Sequence, residues 1–93
     1  MNFEDTSRPR ARPGIAERII DGEALLVNAE GGEILVLNEC GATVWQLLDG
    51  SRDVASLVAA VCLEYEVSEA EARTDVVAFL EKLLHRGALE PGA

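Results

Sequence analysis

The sequence predicts an α+β fold, a three-stranded antiparallel meander followed by three helices. Three features lead to it. After residue 14, short apolar runs are separated by turn-forming clusters, Asp21-Gly22 and Ala29-Glu30-Gly31-Gly32. Beyond residue 38, apolar residues recur instead at helical spacing. A residue able to cap a helix, Asn38, Asp53 or Ser68, stands at the head of each helical segment.

The first strand spans Ile15 to Ile20 and ends at Asp21-Gly22. Asp-Gly between apolar runs signals a two-residue hairpin, because both turn positions need positive φ. Ala24-Leu25-Leu26-Val27-Asn28 makes the second strand, and Glu33-Ile34-Leu35-Val36-Leu37 the third. Short turns give the order 1-2-3, which leaves the third strand at an edge. Asn38 caps the first helix, with Val44, Trp45, Leu47 and Leu48 as its apolar positions and Gly50 just past its end. Asp53 caps the second, which carries Val54, Leu57, Val58, Val61, Cys62 and Tyr65. Ser68-Glu69-Ala70-Glu71 is a capping box opening the third helix, which runs to about Arg86 and stops at Gly87. Ala88-Leu89 reads as a short returning segment. Residues 1–14, with Arg8, Arg10 and Arg12 among turn formers, read as a flexible N-terminal arm, and residues 15–90 as one recognition domain.

A chain of 93 residues holds one core but not also a deep enclosed active site. The net charge is −9; Arg8, Arg10 and Arg12 against Glu4 and Asp5 leave the arm at +1 and the remainder at −10. Such a surface repels phosphate backbones and anionic membranes and favours a neutral or basic partner. The N-terminus lacks the basic and apolar regions of a signal peptide, and no apolar run spans a bilayer. A cytoplasmic location with Cys40 and Cys62 reduced is therefore expected. One histidine and two distant cysteines offer no metal site, and no catalytic constellation or phosphate loop is visible. The expectation is a protein that is not an enzyme and needs no cofactor.

Two segments point to binding. On the third helix, Ala72, Val76, Val77, Phe79, Leu80, Leu83 and Leu84 cover more of the circumference than the apolar stripe of an ordinary surface helix. Either the helix is deeply buried or one flank lines a groove. The third strand is apolar on both faces and lacks the Pro or Lys that usually protects an edge. An edge with free backbone donors and acceptors accepts another strand, with main-chain bonds holding a guest and side-chain pockets choosing it.

The ordered residues Leu37-Asn38, Gly41, Val44, Leu47, Asp49-Gly50, Val54, Leu57, Tyr65, Asp75-Val76, Phe79-Leu80, Leu83, Gly87 and Leu89 resemble the PqqD-like family. It is named for the pyrroloquinoline quinone biosynthesis protein D and known as the precursor-peptide recognition element of ribosomally made, modified peptides. The resemblance covers about residues 15–90 and implies a winged-helix-like architecture. It implies a non-catalytic adaptor that binds the leader segment of a precursor peptide by strand addition. The adaptor then presents the leader to a modifying enzyme, such as a radical SAM protein or a leader protease. Carried over, the peptide site is Glu33, Ile34, Leu35, Val36 and Leu37, faced by Asp75, Val76, Phe79, Lys82 and Leu83. Asp75 either accepts bonds from the leader or pairs with Arg73 or another surface arginine. The chain reads as a standalone member, either a monomer or a strand-exchanged dimer.

Two other readings compete. A winged-helix DNA-binding regulator needs a basic recognition helix, and the second helix, Val54 to Glu66, has no Lys or Arg. A structural dimerisation module would occlude the third strand. Strand addition makes a specific demand: Val36→Pro removes an amide from the edge strand, so peptide affinity should fall while the fold persists. Unchanged affinity in a peptide titration would refute strand addition.

Overall fold

The computed structural model describes residues 3–21, 23–28 and 34–90. Strands β1 (Ile15–Ile20), β2 (Glu23–Asn28) and β3 (Ile34–Leu37) precede helices α1 (Glu39–Gln46), α2 (Val54–Tyr65) and α3 (Glu69–His85). The sheet order is β1-β2-β3, antiparallel throughout. Ile20 pairs with Glu23 across the first turn, and Asp21 takes a φ of 52°, as the Asp-Gly signal requires. Ala24 pairs with Leu37 and Leu26 with Leu35 on one face. Ala24, Leu26 and Leu37 are buried there against the helices. The opposite face carries Ile34 and Val36, which are 59% and 54% exposed.

The helices begin where the caps stand. Asn38 accepts from the Gly41 amide at 2.7 Å, Asp53 from Ser56 at 2.8 Å and Ser68 from Glu71 at 3.2 Å. Each bond satisfies one of the amides a helix start leaves without a partner. The end of α1 differs from the sequence expectation. The helix stops at Gln46, and Leu47 and Leu48 lie in tight turns closed by Leu47 N–H to Val44 C=O and Leu48 N–H to Trp45 C=O. Gly50 is thus not a helix cap; its φ of 84° serves the linker to α2 beneath the Arg10 side chain. Shortening α1 lets Leu48 turn inward, where it is buried. The C-terminus of α3 follows expectation, with Gly87 at a φ of 76° after Arg86.

The core sits between the sheet and the three helices. Val44 and Trp45 of α1, Val54, Leu57, Val58 and Val61 of α2, and Ala72, Val76, Leu80 and Leu83 of α3 form it with Ala88 and Leu89. Tyr65 lies at its margin. Its hydroxyl meets the Thr43 hydroxyl at 2.8 Å and donates to the Glu39 carbonyl, tying the end of α2 to α1.

The arm does not hang free. Val54 donates to the Ser7 carbonyl and Ala55 to the Asp5 carbonyl, so the arm satisfies the first two amides of α2 while Asp53 satisfies the third. Farther on, Ala11 donates to Leu48 C=O, Arg12 to Ala88 C=O, and Glu90 to Arg10 C=O. The arm thus lies between the α1–α2 linker and the segment after α3, with bridges Arg10–Asp49 and Ala11–Leu89. Pro9 is fully buried, and Phe3 and Ala11 pack on the core. Asp5 forms an ion pair with Arg73 of α3. Composition alone suggested a solvated tail; the tie comes from backbone groups of distant segments that need partners.

Removing residues 1–12 would strip two amides of α2 and uncover Leu48 and Leu89. Chemical denaturation of this truncation should show a loss on the order of 2–4 kcal/mol. An unchanged midpoint would mean that the arm adds nothing to the fold.

Candidate functional site

β3 pairs with β2 alone among the described residues. In a strand, alternate residues aim their amide and carbonyl to opposite sides, so the outer side of β3 presents a row of backbone groups without strand partners. The arm, which had the means to cover this edge, is used elsewhere. Every segment it bonds lies in the helical layer or beside it.

Opposite the edge stands one flank of α3. Residues Asp75, Phe79, Lys82 and Arg86 are spaced three or four apart and so share a face. Near the Leu37 end of β3, a cleft of about 260 Å³ is lined by Asn38, Cys40, Gly41, Val44, Asp75, Val76, Ala78 and Phe79. Space is tight at Gly41. A Cβ at this position would stand 3.2 Å from the Phe79 ring and 3.2 Å from the capping Asn38 oxygen. The ring thus lies against bare helix backbone and forms one wall of the cleft. Near the Ile34 end, a narrow second cleft of about 20 Å³ lies among Ile15, Leu26, Asn28, Ile34, Leu35, Arg86 and Ala88.

The expected site residues separate into groups. Ile34 and Val36 are exposed on the outer sheet face, Leu35 is half-buried on the inner face, and Leu37 is buried. Glu33 lies outside the described residues. Asp75 and Lys82 are exposed and Phe79 is half-buried, on one face of α3; Asp75 and Phe79 line the cleft at the Leu37 end, and Lys82 lines neither cleft. Val76 is 1% exposed and reaches only the cleft floor. Leu83, at 0%, belongs to the core and lines neither cleft. It lies seven residues after Val76, on the same inward stripe. Arg86 reaches the groove and was not singled out from sequence, although its position four residues after Lys82 was a signal for it.

Asp75 does not pair with Arg73, since that guanidinium is engaged by Asp5 and Glu69. The two acidic contacts raise the Arg73 pKa, Asp5 contributing most. Asp75 instead acts on Cys40. Burial pushes the Cys40 thiol up from its ordinary value, and the Asp75 charge raises it further. A thiol in this state is a weak nucleophile at neutral pH.

A further cleft of about 650 Å³ lies across α1 from Cys40, between Ile19, Ala24 and Leu37 of the sheet and Glu39, Ala42, Thr43, Gln46, Leu47 and Glu64 of the helices. Its lining includes the Thr43 hydroxyl and no cysteine or histidine.

The state of Cys40 can be checked. Alkylation by iodoacetamide at neutral pH should be several-fold slower at Cys40 than for a free cysteine. Asp75→Asn should speed it, because losing the neighbouring charge lowers the thiol pKa. No change in rate would mean that Asp75 does not face the cleft.

Known proteins share this arrangement. Over residues 23–89 the sequence matches the family described as Coenzyme PQQ synthesis protein D (PqqD). A PqqA binding protein of Rhodopseudomonas palustris is 39% identical over 56 residues, which cover 60% of this chain and 55% of that protein. The chain thus spans little more than half the length of that relative. A PqqA binding protein of Pseudomonas fluorescens is 33% identical over 84 residues, covering 87% of this chain and 88% of the relative. Among solved structures, a lasso peptide synthetase B1 complexed with its leader peptide superposes with a TM-score of 0.80 at 28% identity, covering 91% of this chain and all of that one. The PqqD truncation of Methylobacterium extorquens PqqCD, a RiPP recognition element, has a TM-score of 0.79 at 22% identity, covering 95% of this chain and 94% of that one; this likeness is one of fold. With the match running from the second strand to the segment after α3, the chain belongs to the PqqD family.

Proposed function

We propose that this chain is a non-catalytic adaptor that captures the leader segment of a ribosomal precursor peptide as a fourth strand on β3. The observation that carries this reading is the unpaired outer edge of β3 beside the Phe79 flank of α3. A guest strand completes the hydrogen bonding of β3. Its inward-facing side chains enter the space beside Leu35 and Phe79, and its outward-facing ones extend the apolar face of Ile34 and Val36. Asp75 and Lys82 offer charges at the rim. Relatives that bind PqqA, and a similar structure that holds a leader peptide, support the same use of the fold.

Presentation to a modifying enzyme, a radical SAM protein or a leader protease, follows from this reading, since the site holds a chain without acting on it. The same edge would pair with β3 of a second copy, so guest binding and strand-exchanged dimerisation would exclude each other. The acidic surface disfavours nucleic acid.

Titration of the isotope-labelled chain with Rhodopseudomonas palustris PqqA, and separately with a lasso-precursor leader, should give a 1:1 complex with at least one of them. A dissociation constant between about 1 nM and about 10 μM is expected. Amide shifts should concentrate on Ile34 to Leu37 and on the α3 flank around Asp75, Phe79 and Lys82. Shifts confined to β1, or none with either peptide, would overturn the reading.

A further inference from the structure

The flank of α3 that faces β3 is ordered by charge. Glu71 and Asp75 occupy its N-terminal half, and Lys82 and Arg86 its C-terminal half, all four exposed. The acidic half stands at the Leu37 end of β3, where Asp75 lines the cleft with Asn38 and Phe79. The basic half stands at the Ile34 end, where Arg86 lines the cleft with Ile34 and Leu35.

Helix stability explains this pattern only in part. Charges in the first and last turns complement the helix macrodipole, which covers Glu71 and the cations near His85. Asp75 lies beyond the first turn, where that effect has faded. No cation stands three or four residues from it: those positions are Glu71, Ala72, Ala78 and Phe79. Lys82 and Arg86 are like charges one turn apart, which weakens a helix slightly. Asp75, Lys82 and Arg86 take part in no ion pair among the described residues.

Resting on the strand-addition reading, we propose that the groove selects guests by the order of their charges. The preferred guest runs antiparallel to β3, with a basic residue toward its N-terminus and an acidic residue toward its C-terminus. Every pairing in the sheet is antiparallel, and antiparallel pairing is the more stable kind. β3 runs from its Arg86 end to its Asp75 end, so an antiparallel guest enters at Asp75. Along α3, Asp75 is separated from Lys82 by about 10 Å and from Arg86 by about 16 Å, at a rise of about 1.5 Å per residue. A strand covers these distances in about three to five residues at about 3.4 Å each. Both charged side chains must also point to the α3 side, which an even spacing alone allows, so a basic residue followed about four positions later by an acidic one, with apolar residues between, matches the groove. Reversing the order sets like charges opposite each other at both ends.

Two synthetic peptides of identical composition test this with the full chain. One carries Lys before and Glu after a Val-Ile-Val segment, so that both charges point to the same face of the strand; the other exchanges Lys and Glu. Binding is read by calorimetry at low salt and located by β3 amide shifts. The Lys-first peptide should bind at least about tenfold more tightly, and the preference should shrink with added salt as screening grows. In the Asp75→Lys, Lys82→Glu, Arg86→Glu variant, once its native circular dichroism is established, the preference should invert. Equal affinity of the two peptides at β3, or tighter binding of the Glu-first peptide, would overturn the charge rule and leave strand addition standing. Absence of β3 shifts with both would overturn strand addition itself, and the charge rule with it.

Discussion

A strand inside a sheet has both rows of its backbone groups bonded, and a strand at the edge has only one. β3 is such an edge, and it keeps apolar side chains on both faces. An edge of this kind is a liability unless something is meant to pair with it. No other described strand pairs with its outer side. The helices pack on the inner sheet face and on each other, and the chain segments that might have closed the sheet form hydrogen bonds elsewhere.

The arm shows this division of labour. Its carbonyls take the first amides of α2, and its middle residues join the α1–α2 linker to the segment after α3. By binding the start of α2, the α1–α2 linker and the segment after α3, it braces the helical layer. Arg73, on the opposite flank of α3 from Phe79, is held there by Asp5. Asp75, Lys82 and Arg86, on the other side of the helix, form no ion pair among the described residues.

Cap chemistry explains why α1 can form one wall of the cleft near the Leu37 end of β3. Asn38 ends β3 and begins α1, so strand edge and helix start are joined by a single residue. Gly41 then admits the Phe79 ring against the helix backbone. Strand edge, helix start and α3 flank are thereby fixed relative to one another by adjacent covalent structure and one close contact. The site is consequently part of the fold's framework.

The amino-acid order by itself determined the element sequence, because turn formers, caps and apolar periods are local signals. Asp21, Asn38, Asp53, Ser68 and Gly87 each sit where their chemistry placed them. The exposed edge was also legible, since short connections allow only the order β1-β2-β3. What tertiary structure decided was which groups meet. The resemblance put Leu83 beside the edge strand, and the fold buries it in the core, because apolar spacing does not separate the inward stripe of a helix from its flank. Arg73 stood as near to Asp75 in sequence as any cation, yet the helix turns it to the other side, toward Asp5. Arg86 reaches β3, and the arm lies bound against the helices, because backbone groups far apart along the chain must find partners and no local pattern records which ones they find.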